Sequence, residues 1–375
     1  MPTNNFIGVN GVARKIIEEY IGVSNIARQV VKGYIGVAGV ARLFYFKSKE
    51  PQEPISFYGT TTALAAARYN IGSVRLGNYA IFAGGNTDGN YNYNVDTYTN
   101  ELVKGTATSL SSQVREPAAA TVGNYALFAG GRSGSTGYAT VNAYTSELAK
   151  STATELSVGR NQMSGASIGD YALFAGGSVG GGTTYYATVD TYTNTLAKGT
   201  ATDLTAVKTG PAATTIGNYA IFAGGYKSTK TVDAYNASLV KSTPSSLSVA
   251  HYNFAATTVG NCAIFAGGYT GSAATDVVET YTNTLVKGTA PNLSSAKRYL
   301  SAVTLGDYAI IAGGRGSSAE GTVDVYDNTL VKSTIANLSE ARYQMGAATI
   351  GNYALFAGGY DGSNLYSTVD AYKLN

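Results

Sequence analysis

Six acidic residues of this 375-residue chain share one local context: each directly follows a valine and stands two residues before a tyrosine. A pair of carboxylates could carry out glycoside hydrolysis. These acids, however, take one equivalent position in successive copies of a repeat, which favours a structural role. The residues are Asp96, Asp190, Asp233, Glu279, Asp324 and Asp370.

Other catalytic chemistry lacks the necessary side chains. The chain has one histidine, His251, and one cysteine, Cys262, whereas copper and zinc sites need several imidazole or thiolate ligands. His251 is also the only imidazole that could activate a serine. The glycine pairs described below are not followed by a helix that would bind phosphate. The sequence therefore predicts no enzyme, no metal and no cofactor.

Basic residues form a further set, each four or five residues after a leucine. Because equivalent positions of a circular repeat form a ring, six cations and His251 are predicted to circle one face. Two interpretations stay open: bonds to neighbouring loops, or an electropositive mouth for an anionic ligand such as a charged cell-wall polymer. The residues are Arg68, Arg115, Arg160, Lys208, His251, Arg298 and Arg342.

The elements that position these residues are seven copies of one apolar phrase, such as GNYAIFAGG, spaced 43 to 48 residues apart. A repeat of this length indicates an array or a propeller. In the copy from Pro117 to Leu156, turn signals separate four short β-favouring segments, which predicts four antiparallel strands. The first segments are rich in alanine, as strands crowded near an axis require. The sequence therefore predicts an all-β, seven-bladed β-propeller.

The last copy ends at Tyr372, before a fourth strand. Residues 59–64 match 105–110, the end of a fourth strand in the first copy. Residues near 55–64 are therefore predicted to complete the last blade, which would remove the open edges of the ring.

The glycine pair, the turn before it and the following Val-Asp-x-Tyr resemble the kelch repeat over residues 55–375. Kelch repeats usually carry a tryptophan in the fourth strand, and this chain has none. Leucines are expected to occupy roughly that place, with lighter packing between blades. They are Leu102, Leu148, Leu196, Leu239, Leu285 and Leu330.

The loops after the glycine pairs vary while the strands hardly change. They are rich in Tyr, Gly, Ser and Asn, residues that paratopes use for adaptable contacts. Turns are also rich in Gly, Ser and Asn, but a turn does not need tyrosine. The same face as the basic residues is thus predicted to bind a ligand, with candidates Tyr91, Tyr93, Tyr138, Tyr185, Tyr186, Tyr360 and Tyr366.

Residues 1–46 carry a different repeat, with Phe6, Tyr20 and Tyr34 at a period of 14. Two-residue turns at 10–11, 24–25 and 38–39 predict hairpins, and a helix from Val12 to Tyr20 is the alternative. So short a module is expected to attach to another protein or to its own copies. Residues 47–54, with four charges and two prolines, form the predicted linker.

The Tyr-Ile-Gly-Val and Ala-Arg elements of residues 6–46 resemble structural proteins of bacteriophages and prophages. This resemblance implies a non-enzymatic virion tail or appendage protein, whose propeller binds a host-surface receptor or glycan. Residues 1–46 would contact other virion proteins, in a homo-oligomer. A bacterial kelch-type interaction scaffold and, third, a propeller glycan-processing enzyme are the alternatives.

Composition limits the partners and the location. The net charge is +3 and 13% of residues are charged, so no nucleic-acid partner is predicted. The N-terminus lacks the apolar segment of a signal peptide, and no run is long enough to insert in a membrane. The sequence therefore predicts synthesis in the host cytoplasm and residence in the virion.

Overall fold

The computed structural model describes residues 53–179, 183–226 and 229–375, together with six short strands between residues 6 and 45. The chain divides into two compact units, Met1–Pro54 and Ile55–Asn375. Residues 47–52 of the predicted linker lie outside the described residues. Among the described residues, no helix is long and apolar enough to cross a membrane.

The first unit contains three antiparallel strand pairs: Phe6–Val9 with Val12–Lys15, Tyr20–Val23 with Ile26–Gln29, and Lys32–Val37 with Val40–Tyr45. The first and third pairs join in one four-stranded sheet. Val9 lies opposite Val12 and Val37 opposite Val40, which is the register predicted for hairpins. The alternative of a helix from Val12 is wrong at Val12–Lys15, which is a strand, and residues 16–19 lie outside the described residues.

The second unit is a ring of seven four-stranded antiparallel sheets, which confirms the predicted seven-bladed propeller. The inner strands of blades 1 to 7 are Gly72–Leu76, Ala118–Val122, Ser164–Ile168, Ala212–Ile216, Ala255–Val259, Ser301–Leu305 and Gly346–Ile350. The second strands are Tyr79–Ala83, Tyr125–Ala129, Tyr171–Ala175, Tyr219–Ala223, Cys262–Ala266, Tyr308–Ala312 and Tyr353–Ala357.

The third strands are Val95–Tyr98, Val141–Thr145, Val189–Thr193, Val232–Tyr235, Val278–Thr282, Val323–Asp327 and Val369–Leu374. The outer strands of blades 1 to 6 are Lys104–Ala107, Lys150–Ala153, Lys198–Ala201, Lys241–Ser242, Lys287–Thr289 and Lys332–Ile335. The glycine-pair loops of blades 2 and 3 contain two further short pairs, Arg132–Ser133 with Thr136–Gly137 and Ser178–Val179 with Thr184–Tyr185.

The outer strand of blade 7 comes from the segment of the chain that precedes blade 1. Ile55–Thr61 pairs with Val369–Leu374, with Ile55 opposite Leu374 and Thr61 opposite Val369. The Asn375 side-chain amide also donates to Ser56 Oγ at 2.9 Å. This pairing confirms the predicted closure, because Ile55–Thr61 covers the edge that Val369–Leu374 would otherwise leave open.

The core lies between the blades. The last four residues of each second strand are buried, and they pack against the neighbouring blade, as Ile81 of blade 1 does against Phe128 of blade 2. The repeated tyrosine of each third strand reaches the preceding blade; the Tyr98 hydroxyl, for example, donates to the Thr62 carbonyl at 2.7 Å. Each blade is therefore fixed to its predecessor by both apolar contact and a partly buried hydrogen bond.

The six leucines expected in the fourth strands lie elsewhere. Each sits in the turn between the third and outer strands and adopts a left-handed backbone, as Leu102 does with a φ of 60°. In that turn the Thr99 hydroxyl accepts from the Val103 backbone N–H. The half-buried leucine side chains pack against the clusters between blades, so they still contribute to blade packing from a different element.

Candidate functional site

Each blade brings two segments together on one face: the connection that enters its inner strand and the loop that follows its glycine pair. In every blade, the first residue after the glycine pair bonds through its backbone to one residue of the connection. We name these seven the rim pairs. They are Tyr69–Asn86, Arg115–Arg132, Asn161–Ser178, Thr209–Tyr226, Tyr252–Tyr269, Arg298–Arg315 and Tyr343–Tyr360.

The glycine pair is required by this close approach of the two segments. Gly130 has a φ of 65°, and a Cβ there would lie 2.4 Å from the Arg160 carbonyl oxygen. Its neighbour Gly131 donates its backbone N–H to the same carbonyl at 3.0 Å. A side chain at Gly130 would therefore push the blade away from the next connection.

The predicted basic ring is largely wrong, because most of its members are buried below the rim pairs. Arg68, Arg160, Lys208 and Arg342 are fully buried, and His251 is 1% exposed. In blade 6 the buried residue is Lys297, and the predicted Arg298 is its half-buried neighbour. In blade 2 the buried position is Val114, with Arg115 in the rim pair.

Each buried cation faces the acid of its own blade's third strand. The closest nitrogen–oxygen distances are 2.7 Å for Arg68–Asp96, 2.8 Å for Arg160–Asp190, 2.9 Å for Lys208–Asp233, 3.9 Å for His251–Glu279, 3.4 Å for Lys297–Asp324 and 2.8 Å for Arg342–Asp370. In blades 1, 3, 4, 5 and 6 a lysine of the outer strand also contacts the acid. All six candidate acids are thus buried beside basic side chains inside their blades, and for Glu279 the charged partner is Lys287 of the outer strand at 2.7 Å.

Burial and charge act in opposite directions on these groups. Burial raises the pKa of Asp190, but bonds from Ser157 and the charge of Arg160 outweigh it, so the pKa lies below the ordinary value. Burial lowers the pKa of Lys208, and Asp233 offsets part of this effect. Burial also lowers the pKa of His251, whose Nδ1 lies 2.6 Å from the Gly267 carbonyl oxygen.

Blade 2 replaces both members of the ion pair. Val114 takes the place of the cation, and Asn142 takes the place of the acid and accepts from the Ser111 backbone N–H at 2.9 Å. Blade 5 has His251 and the longer acid Glu279 at these two positions. Their 3.9 Å separation is too long for a hydrogen bond, and Glu279 pairs with Lys287 of the outer strand at 2.7 Å. In blade 2 both members of the pair are replaced together, as expected when either one alone would lack its partner inside the blade.

A chain of aromatic contacts runs over the rim pairs. Ring centroids lie 5.1 Å apart for Tyr226–Tyr252, 5.9 Å for Tyr299–Tyr343 and 5.2 Å for Tyr69–Tyr360. The Arg298 guanidinium lies 4.1 Å from the Tyr269 ring centroid and links two stretches of the chain. We name this set the tyrosine arc: Tyr185, Tyr226, Tyr252, Tyr269, Arg298, Tyr299, Tyr343, Tyr360 and Tyr69.

The arc borders two clefts. One, of about 300 Å³, combines tyrosine rings with polar side chains and is lined by Gln162, Tyr185, Thr209, Tyr226, Tyr252, Asn253 and Tyr299. The other, of about 450 Å³, lies between blades 7 and 1 beside the stacked rings of Tyr69 and Tyr360, and is also lined by Asn86, Thr87, Asp88, Gly89, Ser363, Asn364 and Leu365. Aromatic faces beside amide and carboxylate groups are suited to polar ligands with an apolar side, such as sugars.

Seven residues, one from each blade, form the centre of the face. Each directly follows the residue that its connection contributes to a rim pair. All seven have a left-handed backbone: Asn70, Glu116, Gln162, Gly210, Asn253, Tyr299 and Gln344. Backbone hydrogen bonds join most of them into a ring, as from Glu116 to Asn70 and from Asn70 to Gln344. They line a depression of about 220 Å³, and Glu116 is the only charged side chain among them.

The predicted tyrosines separate into two groups. Tyr185 and Tyr360 belong to the arc. Tyr91 lies beneath Arg115 at 5.7 Å, Tyr93 is 43% exposed, and the Tyr366 hydroxyl donates to Asp361 at 2.7 Å. Tyr138 packs in the cluster between blades 1 and 2, and Tyr186 bonds through its backbone N–H to Gly177.

The sequence prediction did not include most of the arc or two arginines of the rim pairs. The missed residues are Tyr69, Tyr226, Tyr252, Tyr269, Tyr299, Tyr343, Arg132, Arg315 and the central Glu116. A signal was available, because Tyr226, Tyr269 and Tyr360 each directly follow a glycine pair, as do Arg132 and Arg315. The residue directly after each glycine pair therefore marks the rim position in the sequence.

Comparisons with known proteins support the fold. No protein-family model matches the sequence, and no curated protein matches it. A solved structure described as that of YjhT is similar with a TM-score of 0.56 and 14% identity, covering 71% of this chain and 95% of its own. A novel fungal alcohol oxidase of the AA5 family, in complex with copper, is similar with a TM-score of 0.65 and 13% identity, covering 86% of this chain and 77% of its own. At such identities the likeness shows a shared propeller fold.

Proposed function

We propose that this chain is a non-catalytic recognition protein whose propeller binds a saccharide on a host surface through the tyrosine arc. The observation that carries the proposal is the arc itself, a continuous set of aromatic rings on one face. The inner three strands of every blade repeat nearly the same residues, yet the rim pairs differ from blade to blade. Surface residues that vary while the strands supporting them stay the same are typical of a binding surface.

The clefts supply the contacts that a sugar needs. Tyr185, Tyr226 and Tyr252 offer ring faces in the 300 Å³ cleft, while Gln162 and Asn253 offer amide donors and acceptors. Ring faces take the apolar side of a sugar, and amides take its hydroxyl groups. Because the rings also pack on one another and the rim is bonded to rigid blades, little ordering entropy is lost on binding.

Catalysis is supported less well. The acids that could act in hydrolysis are fully buried in ion pairs, so a substrate on the face would not reach them. The similar alcohol oxidase binds copper, but the one imidazole of this chain is His251, which is buried and stacks on Phe254. Among the residues that the structure describes, no three His, Cys, Asp or Glu side chains gather where they could hold a metal ion.

The first unit gives the proposed context. We propose that residues 1–46 attach the propeller to other proteins of a bacteriophage tail or virion appendage, and that the chain forms a homo-oligomer there. The support is the resemblance of its short repeats to phage structural proteins. Light scattering on the full chain and on residues 47–375 tests self-association, and loss of oligomers in the shorter chain is the expected result.

A glycan array probed with the full chain tests the recognition function. Binding to at least one class of glycan is expected, and the double variant Tyr226→Ala/Tyr252→Ala is expected to lose roughly ten-fold or more in affinity, since aromatic contacts dominate such sites. Tyr58→Ala is the matched control, because Tyr58 is 55% exposed but lies on the outer strand of blade 7, outside the arc. Absence of any glycan signal, with a folded ring, would contradict the proposed function.

A further inference from the structure

Two of the seven rim pairs place like charges opposite each other. Arg115 lies opposite Arg132 in blade 2, and Arg298 lies opposite Arg315 in blade 6. Like charges directly across a strand pair are destabilising. A second group must therefore compensate for each pair, or each pair must serve a purpose other than stability.

In blade 2 the compensating group is present. The Glu116 carboxylate lies 3.4 Å from Arg132 Nε, and the Asn161 amide donates to the same carboxylate at 2.5 Å. Arg115 lies over the ring of Tyr91. This arginine pair is therefore partly neutralised by a carboxylate of the central depression.

In blade 6 the compensating group is missing. Tyr299 takes the central position that Glu116 occupies in blade 2. Among the described residues, no ion pair joins Arg298 or Arg315 to a carboxylate. The acid of the same loop, Glu320, accepts instead from the hydroxyls of Ser295 and Thr322.

The two guanidinium groups of blade 6 are held in place by aromatic rings. Arg298 lies 4.1 Å from the ring centroid of Tyr269 and 5.4 Å from that of Tyr299. Arg315 lies 5.5 Å from the ring centroid of Tyr343 and donates to its hydroxyl at 3.3 Å. Rings cover the flat faces of the guanidinium groups, while N–H edges remain for an acceptor with two oxygens.

We propose, on the basis of the proposed function, that the saccharide is acidic and that Arg298 and Arg315 bind its carboxylate or phosphate. The anion supplies the counter-charge that blade 6 lacks and blade 2 has in Glu116. The sugar rings beside the anion lie on Tyr269, Tyr299 and Tyr343. This assigns charge recognition to one blade of the arc rather than to a complete basic ring.

Calorimetric titration of the full chain tests this with three oligosaccharide probes of similar length: oligogalacturonate, phosphorylated cello-oligosaccharide and neutral cello-oligosaccharide. At least one anionic probe is expected to bind roughly ten-fold or more tighter than the neutral one. Arg298→Gln/Arg315→Gln is expected to remove that difference, because it weakens binding of the anionic probe much more than binding of the neutral one. The two anionic probes separate carboxylate from phosphate recognition.

Two control variants sharpen the result. Arg75→Gln removes an exposed arginine outside the rim and is expected to change nothing, whereas Arg115→Gln/Arg132→Gln is expected to change anionic binding by about two-fold or less, because Glu116 already pairs with Arg132. Equal affinity for anionic and neutral probes, or an anionic preference that survives in Arg298→Gln/Arg315→Gln, overturns this inference and leaves the proposed function intact. No binding to any glycan of the array contradicts the proposed function itself.

Discussion

Lys297 and Arg298 are adjacent in the sequence, yet they belong to different layers of blade 6. Lys297 is fully buried and faces Asp324, while Arg298 lies on the rim against Tyr269. The same division holds in blade 4 between the buried Lys208 and the rim residue Thr209, and in blade 7 between Arg342 and Tyr343. A shift of one position in the sequence therefore decides whether a basic residue lies in the buried layer of the blade or on the rim.

This comparison predicts that the buried layer controls stability and the rim layer controls binding. The largest effect is expected for Asp190→Ala, which leaves Arg160 buried without its carboxylate. Removal of one partner of a buried pair costs about 3–5 kcal/mol in the free energy of unfolding. Urea unfolding measures the loss; in blade 2, Asn142→Ala is the control and is expected to cost only about 1–2 kcal/mol, for lost hydrogen bonds.

Placing the uncharged residue types of blade 2 into blade 3 is expected to lower the free energy of unfolding by a smaller amount. Arg160→Val with Asp190→Asn removes both charges together, so it is expected to be less destabilising than Asp190→Ala alone by about 2 kcal/mol. A double-mutant cycle from urea unfolding gives the coupling energy. A double variant as unstable as the sum of its single variants would show that the two groups do not act as a pair.

Residues 297 and 298 provide the next test. Lys297→Met leaves Asp324 with Lys332 as its remaining cation and is expected to cost about 1–3 kcal/mol. Arg298→Gln should stay within about 0.5 kcal/mol of the parent, since it is a rim substitution. Thermal unfolding of both variants, compared with their binding to acidic saccharides, separates the layers. If Arg298→Gln were destabilised while its affinity for acidic saccharides stayed unchanged, Arg298 would belong to the layer that controls stability and not to the layer that controls binding.

The smallest effect is expected in the pH dependence of stability. The folded pKa of Asp190 lies below its ordinary value near 3.9, so its contribution is complete above about pH 4 and is lost as the pH falls through the folded pKa. The variant Arg160→Val/Asp190→Asn should therefore lose less stability between about pH 5 and pH 2 than the parent. Urea midpoints across this range measure the difference, and identical slopes would show that Asp190 is not linked to folding.

Much of the ring follows from the sequence, because the features that define it are local. The glycine pairs, the Gly-Asn turns and the alternation of apolar residues fix the strands, and the missing strand after Tyr372 indicates the role of residues 55–61. The layer of a basic residue is also written in the sequence, because in each blade the buried position lies four residues after the leucine, as Lys297 follows Leu293, and the rim position lies five residues after it. The sequence prediction treated these two spacings as one position. Only the carboxylate across the sheet, such as Asp324, explains why the position four residues after the leucine is the buried one.

The tyrosine arc shows a similar limit. Tyr252 and Tyr269 lie in different segments of blade 5 and meet only through their rim pair, and Tyr299 reaches the arc from the connection to blade 6. A composition search of the loops finds tyrosine but cannot tell which rings touch. The clefts depend on such contacts between blades, so they become visible only with coordinates.

The closure of the ring has a consequence for its biosynthesis. Ile55–Thr61 is the first ring strand to leave the ribosome, and its partner Val369–Leu374 is the last. Folding that proceeds from the N-terminus during synthesis can therefore assemble blades 1 to 6 while blade 7 still lacks its inner strands. Ile55–Thr61 therefore has no pairing partner until Val369–Leu374 has been synthesised, and during that interval its edges are open to pairing with a wrong strand.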